Sequence, residues 1–282
     1  MGAVLTFEEL SQLYVIVLLE LVCQNLIPVI AQINHTIYPF ITFHLLRVKV
    51  YHKRLDFSTL FAYTMAMKMS KIYISRSACR PLIEYLTQKG CELAFAKKAA
   101  NSPIGCHPDI LYCHLGGGKV FHGDSRALGP VYPADCIYNA CSTGKYFIHN
   151  LNVTDSALLK EADKMGLKKI HVSQGYARCS ALPIDKNSVI TYDRGIARAC
   201  RHQGGPEVLL VQPGHVLLPG YGSGFIGGCG GRVGNEIVFN GDLSAHPDFE
   251  AINDFIGKRG LRLVYFKGEP LTDIGSVIEE VL

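Results

Sequence analysis

Ten cysteines and eleven histidines hold most of the nucleophilic and proton-transferring chemistry of this 282-residue sequence. A thiolate is an intrinsically strong nucleophile and an imidazole titrates near neutral pH, so a cysteine working with a histidine is the chemistry to look for. Neither residue type is spaced for metal: there is no C-x-x-C, no H-E-x-x-H and no paired Cys/His cluster with zinc spacing, so no metal and no cofactor is expected. The cysteines, at positions 23, 79, 91, 106, 113, 136, 141, 179, 200 and 229, are scattered through a large chain, which reads as free thiols in a reducing, cytoplasmic compartment. No G-x-x-x-x-G-K-[ST] string occurs. Gly222-Ser223-Gly224-Phe225-Ile226-Gly227 formally matches G-x-G-x-x-G, but it precedes a strand pattern and opens no helix, so it is not read as a dinucleotide site.

The elements that must position these side chains repeat. Strands over 135–141 and 145–149 flank the turn Ser142-Thr143-Gly144; Thr154-Asp155 caps a helix through Met165, Gly166 ends it, and a strand follows over 168–172. The same order returns with strands 179–184 and 189–192, a helix opened by Asp193 and stopped by Gly204-Gly205, and a strand over 208–211. It returns again with strands 224–229 and 236–239, a helix over 247–258 and a strand over 261–266. Earlier, 71–75, a helix over 79–88 and 91–95 make a β-α-β piece, and 109–115 with 119–121 make a hairpin around Gly116-Gly117-Gly118. One ββαβ unit cannot bury both its sheet face and its helix, so several must share a centre, with strands inside and helices outside. The predicted fold is α/β, a propeller of such units around a central pocket.

Composition agrees with a folded chain: 48% hydrophobic and 18% charged residues leave enough apolar surface to offset backbone entropy. The net charge of +4 carries no basic cluster of five or more, so nucleic acid is not expected as a partner. Residues 1–68 read differently from 69–282. They form an apolar, helical extension, either a layer packed on the domain or a segment outside the native fold with the protein starting near Met67 or Met69. Membrane attachment is not expected: Glu20, Gln24, Asn25, Pro28, Gln32, Asn34 and Pro39 interrupt the apolar run, and Glu8 and Glu9 stand where a secretory signal carries Lys or Arg.

The strings GCHPDILYCHLGGGKVF, QGYARCSALPIDKNSVITYDRGIA, VQPGHVLLPGYGSGFIGGCGGRVGNEIVFNGDL and EPLTDIGS resemble an uncharacterised bacterial family of the pentein, or guanidine-modifying-enzyme, fold, and the resemblance covers about residues 69–282. It implies a five-bladed β/α propeller and a cysteine-dependent hydrolase acting on a guanidino or other C–N group of a small cation. Such enzymes use a cysteine nucleophile, a histidine for proton transfer and carboxylates that hold the cation. On this resemblance His107 and Asp109, in a His-Pro-Asp string where relatives carry His-Leu-Asp, are the proton carrier and its helper. Cys229, in the last hairpin between glycine pairs, and Cys179, opening the middle one, are rival nucleophiles. Asp193, Asp242 and Asp124 recur after the second strand of successive units, where they either converge on the cation or cap the following helix. The same fold includes a ribosomal anti-association factor without a catalytic triad, so a non-catalytic binding module is the alternative. Oligomeric state is not read from the sequence.

Overall fold

The computed structural model describes residues 70–99 and 103–282. Residues Lys68–Leu282 form one unit. Its first strand, β1 (Ser70–Ile74), is followed by α1 (Arg80–Gln88), and β2 (Glu92–Phe95) returns parallel to β1. A hairpin comes next, β3 (Tyr112–Gly116) with β4 (Lys119–His122), turned by Gly116, Gly117 and Gly118 at φ of 111°, 63° and 82°.

Three complete units follow, each a hairpin, a helix and a returning strand parallel to the second. They are β5 (Cys141–Ser142), β6 (Tyr146–His149), α2 (Ser156–Lys164) and β7 (Lys168–His171); β8 (Ala181–Asp185), β9 (Ser188–Thr191), α4 (Arg194–His202) and β10 (Glu207–Leu210), preceded by a short α3 (Ala177–Ser180); and β11 (Gly230–Val233), β12 (Glu236–Phe239), α5 (Phe249–Gly257) and β13 (Arg262–Val264). The caps are chemical: Asp155 and Asp193 each accept two backbone N–H groups at the starts of α2 and α4. The last strand, β14 (Ile278–Val281), pairs antiparallel with β1, so the first unit is completed by the other end of the chain.

The result is a mixed α/β structure of five small sheets. The edge strands neighbour one another across sheets, β14 beside β3, β3 beside β5, β5 beside β8, β8 beside β11, and β11 beside β14. Helix α1 packs on β2, α4 on β7, β9 and β10, and α5 on β13, away from this succession, whereas the short α3 contacts β5 and β8. On α4, Ile196 and Cys200, one turn apart, are fully buried with Ile148, Ile170 and Val189, while Arg194, Arg198 and Arg201 occupy other positions of the helix. Truncating such an aliphatic side chain to Ala costs about 2–5 kcal/mol.

Several boundaries differ from the sequence expectation: of the expected strand 135–141 only Cys141 is strand, with Ser142, and the expected strand 109–115 starts at Tyr112 after a 3₁₀ turn. The expected strand 179–184 begins only at Ala181, because Cys179 lies on α3. The expected strand 224–229 is irregular backbone, and β11 starts at Gly230, inside what reads as a turn. Close approach explains the last: a Cβ on Gly231 would run into the backbone carbonyl of Val277, and only glycine lets the two segments meet. No described helix is long and apolar enough to cross a membrane. The extension 1–68, with its apolar run and Met65, Met67 and Met69, lies outside the described residues.

Candidate functional site

The backbone just ahead of each edge strand turns toward the same place. His107 lies five residues before β3 and Asp273 five before β14; Asn139, Cys179, Gly228 and Ser276 lie two before β5, β8, β11 and β14. Pro108 keeps His107 extended, at φ −73° and ψ 127°, and starts the single 3₁₀ turn that carries Asp109. Asn139 receives the backbone N–H groups of Arg178 and Cys179 at 2.9 and 3.2 Å, and so holds the start of the α3 turn. Asp273 is held by N–H groups of Phe225 and Gly275, each at 3.0 Å.

These supports bring a thiol, an imidazole and two carboxylates together. Cys179 Sγ donates to Asp109 Oδ2 at 2.9 Å, Ser276 Oγ donates to the same oxygen at 2.6 Å, and His107 Nδ1 lies 3.8 Å from Asp273 Oδ1. The donor atoms of His107, Cys179 and Asp273 all lie within 4.8 Å of one another. His107 Nδ1 and Asp109 Oδ1 are buried without a hydrogen-bond partner among the described residues, a costly state for polar atoms. Ser276 has a φ of 78°, rare outside glycine. Backbone packs hard against the cluster: a Cβ on Gly228 would strike the Asp273 carboxylate and one on Gly275 the His107 ring.

Burial controls the protonation here. Cys179 is 4% exposed; burial, the charges of Asp109 and Asp273 and its hydrogen bond to Asp109 hold its thiol well above the ordinary range, with Asn139 acting the other way. Burial, then the charge of Asp109, pushes Asp273 up to about 7, against its two backbone donors and the charge of Arg178. Burial lowers His107, and Asp109 offsets part of that shift. The cluster therefore rests with a neutral thiol and imidazole beside two acids. A cation placed among them would reverse the sign of the field, favouring thiolate and ionised Asp273 together. The donors of His107, Cys179 and Asp273, one nitrogen, one sulfur and one oxygen, are also the one set among the described residues spaced to hold a metal ion, of a kind suited to zinc. Near-sequence spacing could not show it, since the three are far apart in the chain.

Of the residues singled out from the sequence, His107, Asp109 and Cys179 meet. Cys229 does not join them: it is fully buried with Leu182, Ile237 and Phe239, and its Sγ donates to the Ile226 carbonyl at 3.1 Å. The glycines beside it serve Asp273, Arg178 and Val277 instead of opening a path to its sulfur. Of the two readings of Asp124, Asp193 and Asp242, the structure shows capping. Each follows the second strand of its hairpin, Asp124 and Asp242 capping a 3₁₀ turn and Asp193 the helix α4, and they accept from Arg126 N–H, from Ser244 N–H, and from Gly195 and Ile196 N–H, respectively. Asp124 is further engaged by the Arg126 guanidinium. Asp273, Asn139 and Ser276 were missed. Their signal was their offset from a strand, the one shared with His107 and Cys179.

In comparison with known proteins, residues 118–278 match a family model described as "Family of unknown function (DUF6873)". That span contains Asn139, Cys179 and Asp273 but not His107 or Asp109. No curated protein matches the chain, and no solved structure does.

Proposed function

Since the chain belongs to the DUF6873 family, whose description assigns no activity, we propose a function from the site itself: a cysteine-dependent hydrolase that cleaves a C–N bond of a small guanidino or amidine cation, on a pentein-type β/α propeller. The neighbouring of β14, β3, β5, β8 and β11 in a succession that returns to its start supports the propeller, as does completion of the first unit by the last strand. The observation that carries the chemistry is the meeting of Cys179, His107, Asp109 and Asp273 in one buried cluster that lacks a cation of its own. The partner proposed is that small cation, and the nine described cysteines, all free thiols, support a reducing cytoplasm as the compartment.

The planar cation lies between Asp109 and Asp273, whose paired oxygens match its N–H edges. Its charge lowers the thiol pKa, Cys179 Sγ bonds to the central carbon, and the thiol proton passes to neutral His107. His107 gives that proton to the leaving nitrogen as the C–N bond breaks. Water then attacks the same carbon, leaves its proton on His107, and the C–S bond breaks to restore the thiol. The net reaction replaces nitrogen by oxygen and consumes one water.

The low exposure of the cluster, 7% at His107, 4% at Cys179 and 3% at Asp273, favours a second reading, a binding module that holds a small cation without turnover. Ammonia and ureido product release by the full chain across arginine-like compounds separates the two. Turnover lost in Cys179→Ala and kept in Cys229→Ala is the expected result; equal turnover in wild type and Cys179→Ala removes the hydrolase. An amidinium bearing a chloromethyl group should alkylate Cys179 at pH 6 faster than iodoacetamide does, because only the former brings the charge that frees the thiolate.

A further inference from the structure

A half-open cavity of about 270 Å³ lies along the same edge strands, lined by Arg178 of α3 and by residues of β3, β5, β8, β11 and β14. Its chemistry is opposite to that of the cysteine cluster. Arg178, 5% exposed, lines it and reaches only neutral oxygens: Nη1 donates to Gly227 O at 2.8 Å and to Ala181 O at 3.5 Å, and Nη2 to Gly230 O at 2.9 Å. A guanidinium carries five N–H donors, so two of them find no partner among the described residues. Arg232, also in the lining, donates to Gly234 O at 2.9 Å and to Ile184 O at 3.1 Å, again without a carboxylate.

The acids that line the cavity are already engaged. Glu279 accepts from Ser70 Oγ at 2.6 Å and from Gly234 N–H at 2.9 Å. Asp185 accepts from Asn187 N–H and Ser188 Oγ at 2.8 and 2.7 Å, and its other oxygen faces Arg259 at 3.7 Å. His114 sits in the lining as well; burial, then the charges of Arg178 and Arg232, push it down to about 4. Arg178 acts on Asp273 through space, yet no carboxylate among the described residues comes within ion-pair distance of either guanidinium.

We propose that this cavity binds a small oxyanion, a phosphate or a carboxylate, between Arg178 and Arg232. Two guanidinium groups lining one cavity, the buried Arg178 and the exposed Arg232, each with N–H donors left over, match the paired oxygens of such an anion. A volume of about 270 Å³ admits a group of that size. The site stands apart from the cysteine chemistry, so either can fail alone.

Calorimetric titration of the full chain at constant ionic strength, in one arm with inorganic phosphate and in the other with succinate, tests it and distinguishes the two anions. Saturable binding in at least one arm is expected, with affinity falling at least about tenfold in Arg232→Gln and less in Arg232→Lys, equivalent to ~1.4 kcal/mol or more for the neutral variant. Arg201→Gln, an exposed change on α4, should bind as wild type does, and thermal melting of each variant verifies that it folds. No saturable heat in either arm up to ~10 mM, or equal affinity in Arg232→Gln and wild type, overturns the proposal.

Discussion

Two sites along the edge strands, the cysteine cluster and the arginine-lined cavity, carry opposite charge for one structural reason. Ahead of the strands, turns bring Asp109, Asp273 and Cys179 together, and burial favours the neutral thiol and raises Asp273, so ionising both calls for something positive. Alongside them, Arg178, held by carbonyls at the starts of β8 and β11, and Arg232 on β11 line a cavity whose acids are already engaged. Arg178 and Cys179 are adjacent in the chain, so a single turn, α3, supplies a cation to one site and a thiol to the other. Their side chains take different partners, Arg178 the carbonyls of Ala181, Gly227 and Gly230 and Cys179 the carboxylate of Asp109.

The sharpest way to break this comparison is to add one methyl group at each site. Gly275 has a φ of 74° and a Cβ there would enter the His107 ring; Gly117 has a φ of 63° and nothing within 4 Å. Both substitutions to Ala carry the strain of a left-handed backbone, roughly 1–2 kcal/mol, and only Gly275→Ala adds overpacking of about 1–3 kcal/mol. Denaturant unfolding should therefore show Gly275→Ala as clearly the more destabilised, with turnover lost, and equal midpoints would mean that the cysteine cluster is loosely packed.

Titration sharpens the comparison next. Asp273 is raised from 3.8 to about 7 in the folded chain, so the folded state holds its proton more tightly than the unfolded one. Its contribution is complete below about pH 4 and is lost as pH rises to about 7. Asp273→Asn should flatten that fall, an effect on the order of 2–4 kcal/mol between the two limits. His114 is lowered from 6.5 to about 4, so its contribution is present above pH 6.5 and lost as pH falls toward 4. His114→Gln should flatten the acid side instead, and by less, since His114 remains partly open to solvent. Unfolding free energies measured from pH 4 to 8 check both, and slopes that change in the same direction would refute the opposition.

The smallest expected effect lies at neither site. Asp193 caps α4, and Asp193→Ala should cost about 1 kcal/mol of stability with turnover unchanged. A loss of turnover beyond the loss of folded protein would return Asp193 to the site.

Much of the fold was legible because its signals are local. Asp155 before α2, Asp193 before α4 and Gly166 after α2 act within a few residues of themselves, and cap and turn chemistry reads the same in any context. Gly230 and Gly231 misled for the opposite reason: their place in β11 follows from the approach of Val277, far along the chain. In the site, His107, Asp109 and Cys179 were recognisable by residue type and likeness, whereas Asp273 looks in sequence like an ordinary turn residue. Asp193 and Asp242 looked more promising than Asp273 because they repeat, yet repetition there reflects helix and turn capping.

What the sequence determined by itself is the unit: hairpin, capped helix and returning strand, each specified by periodicity, caps and glycine turns acting over fewer than about ten residues. The tertiary structure decided which units neighbour which, that the last strand completes the first sheet, and therefore that Asp273 stands beside His107 and Cys179 while Cys229 is packed among aliphatic side chains. The physical reason is range: hydrogen bonds and rotamer preferences act on neighbours in the chain, but burial and the field of a charge act on neighbours in space.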